Sequence, residues 1–419
     1  MICVGNISVE TTKVVSNSLR KDSQTIQAVV DHKACCGCGS CLVICPASCI
    51  EFIYGRRFNY PKVDVTRCTG CGRCLKVCPS AFLLKGTDPG FSDESAKASY
   101  DCYLIHSKDD EIRLDASSGG FITGTILHLM DKGLADGGIV ARCEGKNPIV
   151  AESFIATDRK SLLSARASKY APVSNCTVLA EVLKRPGRYV FVGTPCMVEG
   201  LEKLQGFLPE LKERIILSIG LVCAGMASRL STKAYIEEDG GVNLADVRRI
   251  CYRGNGWPGR FRVFGENDKL LMDRPLIGGS LIHVVPRDHY LRCWNCLDHW
   301  ARCADITVSD PWCDEMIKTE RKGRSAIMVR TSRGKAAVAS AIDSGDMIAD
   351  RITVDQMLAY NRHLVISSEH SRHAWMAVYQ LVFFGRMSNA MAIPRSLLRR
   401  QGIGLRTTMK ARFDKQYYK

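Results

Sequence analysis

The chain has 419 residues, 46% of them hydrophobic, which predicts two or three globular domains with a real core. Its formal net charge is +15, and residues 386–419 hold nine Lys/Arg against Asp414 alone. Stacking aromatics do not interleave with these basic residues, so no nucleic-acid partner is expected; the tail reads as a solvated segment, with an acidic partner or peripheral membrane contact as the alternative.

No run of about 18 apolar residues occurs, so no membrane span is expected. The start, MICVGNISVETTKVV, lacks a basic segment followed by an apolar core, and no signal peptide is read there. The 21 cysteines are the compositional outlier. Many stand in metal-ligand spacing and no export signal accompanies them. The expected setting is therefore a reducing cytoplasm, not a disulfide framework.

The first ordered segment is an internal repeat. CCGCGSCLVICP begins at Cys35 and CTGCGRCLKVCP at Cys68, and both contain C-x2-C-x2-C-x3-C-P at a constant offset. Three cysteines in one loop wrap three irons of a cubane, and the fourth of each run ligates the other cluster. Cys35, Cys38, Cys41 and Cys78 are thus expected to hold one [4Fe–4S] cluster. Cys68, Cys71, Cys74 and Cys45 are expected to hold the second. A zinc module is the competing reading, but interleaved runs closed by proline are foreign to zinc sites. Cys36 and Cys49 read as non-ligands. IEFIY and FLLK flank the runs as short β-type segments, and KGTDPGFSDESAKASYD reads as a polar linker.

Past residue 100 strands and helices alternate. GRYVFVG reads as a buried strand, MVEGLEKLQGF as a helix and RIILSIGLVC as the next strand. Such a βαβ unit implies a mainly parallel sheet, with sites at the carboxyl ends of its strands. Cys196 and Cys223 follow the two strands and would share one rim. Further on, RCWNCLDHW carries Cys293 and Cys296, half of a four-ligand site. Cys196 and Cys223 either complete that site or are small buried hydrophobes, and spacing alone does not choose. Ser117, Ser118, Gly119 and Gly120 precede the apolar helix FITGTILHLM. There, small residues either admit a phosphate or flavin carbonyl to the helix amides or form an ordinary cap.

SSGGFITGTILHLM, ASKYAPV, VGTPCMVEGL, GLVCAG and CWNCLDHWARCADITVSD together resemble the coenzyme F420 hydrogenase/dehydrogenase beta-subunit family. That family includes flavin subunits of archaeal hydrogenases and formate dehydrogenases and plant 7-hydroxymethyl chlorophyll a reductase. The resemblance covers roughly residues 31–350. It implies a third [4Fe–4S] cluster on Cys196, Cys223, Cys293 and Cys296, beside an FAD contacted by the SSGG residues and by Ser168, Lys169 and Tyr170. Lys169 would neutralise a reduced flavin. Two positions depart from the family pattern, Ala167 and Ser309 standing where glycine is common. Cys303 is an extra thiol near the ligand pair that could replace one of the four. Trp257 and Arg260 of GNGWPGR are expected near the substrate face, and Asp310 as a strand-end polar group.

A flavin suits such a chain because clusters move single electrons while hydride donors move pairs. The expected fold is α/β: a bacterial-ferredoxin-like α+β module plus a larger α/β flavin-binding domain. The expected division is an N-terminal extension (1–30), the ferredoxin module (31–86), a linker (87–113), the flavin and cluster domain (114–350) and a helical basic tail (351–419). The expected function is an iron–sulfur flavoprotein oxidoreductase joining a redox partner protein or ferredoxin to a two-electron substrate such as coenzyme F420. The alternatives are a ferredoxin-dependent reductase of an organic substrate and a non-catalytic electron-transfer subunit.

Overall fold

The computed structural model describes residues 24–85, 100–277 and 288–362, with positions 364, 379, 382, 383, 414 and 416–418. The cysteine repeat folds as a small α+β module. Helix α1 (Ile26–Asp31) is capped by Thr25 and buries Ile26, Val29 and Val30, and β1 (Ile50–Tyr54) pairs antiparallel with β2 (Asn59–Val63). The two runs share a local course. Gly39 (φ +94°) and Gly72 (φ +68°) open one-turn helices at Ser40–Val43 and Arg73–Lys76, a left-handed start that a β-carbon would strain. The flanks differ from expectation on one side: IEFIY is β1, but FLLK is a helical turn, Phe82–Lys85. A four-residue apolar run has no period to separate the two states, and here the burial of Leu83 decides. Since α1 packs in the module, the module also begins before residue 31; residues 1–23 of the expected extension lie outside the described residues.

The larger unit is built on β3 (Asp101–Ser107), β4 (Gly137–Arg142), β5 (Glu152–Ala156), β6 (Tyr189–Gly193) and β7 (Ile215–Leu221). A small antiparallel sheet of β8 (Arg249–Cys251), β9 (Arg260–Phe264) and β10 (Leu270–Pro275) interrupts it, and β11 (Ile306–Ser309), β12 (Ser325–Val329) and β13 (Met347–Ile352) complete it. The eight strands run β13-β3-β12-β11-β7-β6-β4-β5. The expected βαβ unit is present, β6 and β7 being parallel neighbours. The expectation of a mainly parallel sheet needs correction. Parallel pairing is confined to β4-β6-β7-β11, and antiparallel strands close both sides. The βαβ segment spans only the middle of the sheet, where crossover helices impose the parallel sense.

Burial explains the strand patterns. In β6, Val190 and Val192 join the core under α2 (Phe121–Asp131) and α4 (Ser332–Asp343). Its Tyr189 and Phe191 point the other way, into the core shared with α3 (Pro195–Gln205) and the ferredoxin module. A strand covered on both faces reads as one apolar run. The module therefore sits on the sheet face opposite α2 and α4.

Two boundaries move. Strand β3 lies inside the stretch expected to be linker (87–113); Cys102 and Leu104 enter one core and Ile105 another, so only residues 86–99 lie outside the described residues there. The end of the tail is not solvated: Asp414 pairs with Arg57 at 2.8 Å, and the buried Tyr418 accepts a hydrogen bond from the Cys35 amide at 3.2 Å. Most of the basic tail lies outside the described residues. Among the described residues no helix is long and apolar enough to cross a membrane.

Candidate functional site

The structure gathers the repeat cysteines into two groups of unlike exposure. Cys35, Cys38, Cys41 and Cys78 are all buried at the junction with the larger unit. Backbone amides point at their sulfurs, Gly37 N to Cys35 Sγ at 3.3 Å and Ser80 N to Cys78 Sγ at 3.4 Å. Cys45, Cys68, Cys71 and Cys74 line one cavity near the surface, and Cys71 is exposed. The Gly70 amide lies 3.4 Å from Cys68 Sγ. Cys49 also lines this cavity, its sulfur 3.4 Å from Cys45 Sγ. Among the described residues no three His, Cys, Asp or Glu side chains close on a point that would hold one metal ion. Thiols arranged around a cavity and met by amides fit a cluster of several irons.

A third group forms where sequence-distant motifs meet. Cys196 opens α3 just past β6, and Cys223 follows β7, so the two share the rim. The Cys223 amide bonds to His299 O (3.0 Å), and His299 Nδ1 lies 2.8 Å from Cys223 O, which ties this rim to the Cys293–Cys303 segment. Met226 N points at Cys293 Sγ at 3.5 Å. The four thiols are electrostatic neighbours: chiefly through burial, Cys293 is pushed up to about 12 and Cys296 up to about 11, with Cys196 among the lesser causes of both. Cys223 is raised by burial and then by Cys293, Cys196 and Cys296. Cys303 has acidic neighbours instead: burial and then Glu202, with Glu199 and Asp298, raise its thiol pKa. Cys36 contacts Cys196 and Cys38 and so lies between the first and third groups.

Arg292 joins those two groups. It is buried, with Nε donating to Ser80 Oγ (3.0 Å), Nη1 to Asn295 O (2.6 Å) and its guanidinium over the Phe82 ring at 5.0 Å. Burial acts to lower its pKa, and the thiols of Cys296, Cys36 and Cys196 with the Glu199 carboxyl more than offset this, so the guanidinium is held above its usual range.

A cavity of about 390 Å³ opens across the carboxyl ends of the parallel strands, touching Ala141, Gly193, Val222 and Ser309. That is the usual place for a ligand in such sheets, and the volume suits a small molecule or cofactor. Cys223 forms part of its wall, so cavity and third group are contiguous. Ser117, Ser118 and Gly120 line it with the first turn of α2, whose amides lack intrahelical acceptors. Gly119 does not line it: a β-carbon there would stand 2.4 Å from Ile105 O and 2.5 Å from Ser325 N, so this glycine serves strand packing. The SSGG and SKY loops are joined, Ser117 Oγ donating to Ser168 Oγ at 2.9 Å and accepting from Ser168 N at 2.7 Å. Ser168, Lys169 and Tyr170 all reach the cavity. Lys169 Nζ, however, caps the carbonyls of Ala165, Arg166 (2.9 Å) and Ala167 (2.8 Å), and burial lowers its pKa to about 8. Two buried atoms on the wall, Asn175 Oδ1 and Ser309 Oγ, have no hydrogen-bond partner among the described residues.

The residue missed from sequence is Arg253. Its side chain is fully buried and holds Asp310 through two 3.1 Å bonds. It also donates to Tyr170 Oη (3.1 Å), Ser117 O (2.6 Å) and Pro258 O (2.9 Å). Trp257 Nε1 completes Asp310 at 3.0 Å and its ring packs on Trp312 at 5.2 Å. One guanidinium thus binds the SSGG loop, the SKY loop, the GNGWPGR loop and the end of β11. Neither Trp257 nor Arg260 lines the cavity: Trp257 stands behind Asp310 and Trp312, which do, and Arg260 pairs with Asp273 at 2.6 Å. Only the abundance of arginine in that region signalled Arg253, and abundance does not select one residue.

Comparison with known proteins follows this layout. Residues 28–83 match the 4Fe-4S dicluster domain. Residues 102–180 and 187–354 match the N-terminal and C-terminal models of the coenzyme F420 hydrogenase/dehydrogenase beta subunit. The chain belongs to that family. Coenzyme F420 hydrogenase subunit beta of Methanothermobacter thermautotrophicus is 24% identical over 244 residues, 57% of this chain and 80% of the relative. An F(420)H(2) dehydrogenase component from Methanosarcina mazei is 24% identical over 318 residues, 73% of this chain and 85% of the relative. A chain of the F420-reducing [NiFe] hydrogenase complex from Methanosarcina barkeri aligns with TM-score 0.48 and 22% identity, covering 63% of this chain and 90% of that one. At family level, then, this is an iron–sulfur protein of the oxidoreductase class, built for electron transfer.

The two departures from the family pattern now have physical content. Ala167 is left-handed, φ +65°, a conformation costing a β-carbon residue about 1–2 kcal/mol. Ala167→Gly is expected to stabilise the protein by roughly 0.5–1 kcal/mol after glycine's own entropic penalty, read as a raised melting midpoint. An unchanged or lowered midpoint would show that the loop accommodates alanine freely. Ser309 adds an unpartnered hydroxyl to the cavity wall.

Proposed function

We propose that the chain is an iron–sulfur flavoprotein oxidoreductase carrying electrons between [4Fe–4S] clusters and a two-electron donor or acceptor such as coenzyme F420, through an FAD in the sheet-end cavity. The observation that carries this reading is the contact between cavity and third cysteine group at Cys223. The names of the F420-linked relatives support the choice of substrate class.

The residues fit both groups. Cys35, Cys38, Cys41 and Cys78 would hold one cluster, Cys68, Cys71, Cys74 and Cys45 the second, and Cys196, Cys223, Cys293 and Cys296 the third. When bound, FAD supplies exchange between single electrons and hydride-level pairs. The first turn of α2 offers free amides to a phosphate or a ring carbonyl. Asn175 Oδ1 and Ser309 Oγ are two polar atoms awaiting a polar ligand, because burying them unpaired costs about 1–3 kcal/mol each. Lys169 shapes the SKY loop through its carbonyl contacts and keeps a positive charge at the wall. Arg253 and Asp310 hold that wall rigid.

The test is reduction of the bound chromophore, on one anaerobic preparation, by reduced F420, NADPH and reduced ferredoxin. Rapid bleaching by reduced F420 with released FAD identified by chromatography is expected. Bleaching by reduced ferredoxin alone would favour a reductase of an organic substrate. A preparation with full iron and no flavin would reduce the chain to an electron-transfer subunit.

A further inference from the structure

The second cysteine group lies at the surface, and three cations cluster around it. Arg67, Arg73 and Lys76 are exposed around the exposed Cys71. Arg67 reaches over the Cys45 loop, Nη2 to Ala47 O at 3.1 Å, and Arg73 lines the cysteine cavity itself. None of the three holds a carboxylate within ion-pair distance among the described residues. Some cations of the larger unit are paired locally, as Arg142 is by Glu152 (2.7 Å) and Arg159 by Asp109 (2.6 Å), while others, such as Lys160, Lys184 and Lys212, are exposed singly. The neighbouring acid, Asp64, is turned into its own loop, accepting from Thr66 N at 3.0 Å and Thr66 Oγ1 at 2.6 Å. Across residues 24–85 there are eight Lys/Arg and three Asp/Glu. An exposed apolar residue, Val65, 43% accessible, stands beside the cations.

We infer that this face is the electron port of the molecule, and that it docks an acidic, soluble one-electron carrier protein. The inference rests on the proposed cluster and flavin reading, and it adds the partner's chemistry and place. Burial sets the direction of the wire. The first group is buried, the third is half-buried beside the cavity, and among the described residues only the second group has a fully exposed cysteine, Cys71. Electron exchange with another protein needs close approach, so docking belongs where the shielding is thinnest. These cations hold no carboxylate within ion-pair distance among the described residues, so an acidic carrier gains their attraction without breaking an ion pair. Each encounter would oxidise the carrier by one electron and pass that electron to the cluster that Cys45, Cys68, Cys71 and Cys74 would hold. Two encounters supply the pair needed for a hydride-level change in the cavity, with the proton taken from solvent; the reverse flow has the same stoichiometry.

The experiment uses the full chain with its clusters and, as probe, an oxidised acidic two-cluster bacterial ferredoxin, so that binding is read without turnover. Association is followed by surface plasmon resonance at several salt concentrations. The Arg67→Glu/Arg73→Glu/Lys76→Glu variant is expected to lower the association rate constant at least tenfold at low salt, since steering is worth 10–10³-fold. The salt dependence should flatten with it. The distant control Lys212→Glu should change neither. If the triple variant loses iron, the milder Arg67→Gln/Lys76→Gln pair, outside the cysteine cavity, is expected to lower the rate severalfold with iron retained. Unchanged association in an iron-replete variant, or an equal drop in the control, overturns the proposal. Binding of the wild type to phosphatidylserine vesicles but not to the ferredoxin, lost in the variant, would reassign the face to a membrane and overturn it as well. Tight, salt-sensitive ferredoxin binding by a chain with no flavin would leave the port standing and sink the flavin reading instead.

Discussion

Replacing Cys196 by alanine is expected to remove about four irons, one cubane's worth, from a chain expected to hold roughly twelve. Cys293→Ala should do the same, although the two residues lie in different motifs and meet only through the fold. Both changes should spare the two clusters of the N-terminal module, whose ligands lie on a separate duplicated segment. Iron analysis with paramagnetic resonance after anaerobic reduction distinguishes these outcomes. Flavin reduction by a hydride donor should survive in part, while passage of electrons onward to the module should fail. Cys303→Ala should keep all its iron, because that thiol is engaged by Glu202 rather than by the other cysteines. Full iron in Cys196→Ala together with loss in Cys303→Ala would move the fourth ligand to Cys303. A wild-type preparation saturating near eight irons would remove the third site altogether.

Arg253→Met should destabilise the larger unit by about 3–5 kcal/mol, the usual consequence of stranding one member of a buried ion pair. The loss is large because four partners go at once: the Asp310 carboxylate, Tyr170 Oη and the carbonyls of Ser117 and Pro258. For a unit of this size that corresponds to a melting midpoint lower by roughly 6–20 °C. Asp310→Asn should fall in the same direction but less, since an amide still accepts one hydrogen bond. In the double variant Arg253→Met/Asp310→Leu the stranded charge is gone and part of the stability should return. Cofactor retention should not return with it, because the SSGG and SKY loops have lost their common anchor. Thermal unfolding and flavin content, measured on all three variants, separate the two effects. A loss under about 1 kcal/mol in Arg253→Met would mean that the network is a solvated surface pair and holds nothing in place.

The cysteine repeat was legible because its information is local. Ligand spacing, the glycines and the closing prolines all act within a dozen residues, and the two runs fold alike around Gly39 and Gly72. The strand–helix–strand unit around Cys196 was legible for a related reason: β6 is buried on both faces, and that writes a continuous apolar run. Errors arose where a segment's state depends on what covers it. FLLK is helical because Leu83 enters the module core, and β3 looked like linker because its two faces serve different cores. The end of the tail looked solvated by composition, yet Tyr417 and Tyr418 are buried against the module.

The sequence by itself determined the chemistry available: eight cysteines in an interleaved pattern, two more just past strands, a later pair, and a family pattern of small and aromatic residues around a helix start. Those properties are carried by residue type and short spacing, so they survive without coordinates. Only the tertiary structure decided which groups meet. It joined Ser117 to Ser168, set Cys223 in the wall of the cavity, placed Cys303 beside Glu202, and made Arg253 the shared partner of Ser117, Tyr170 and Asp310 behind that wall. Long-range pairing of this kind leaves no periodic trace. A buried arginine and an exposed one are the same letter, and the difference between them is the carboxylate that the fold brings within 3.1 Å.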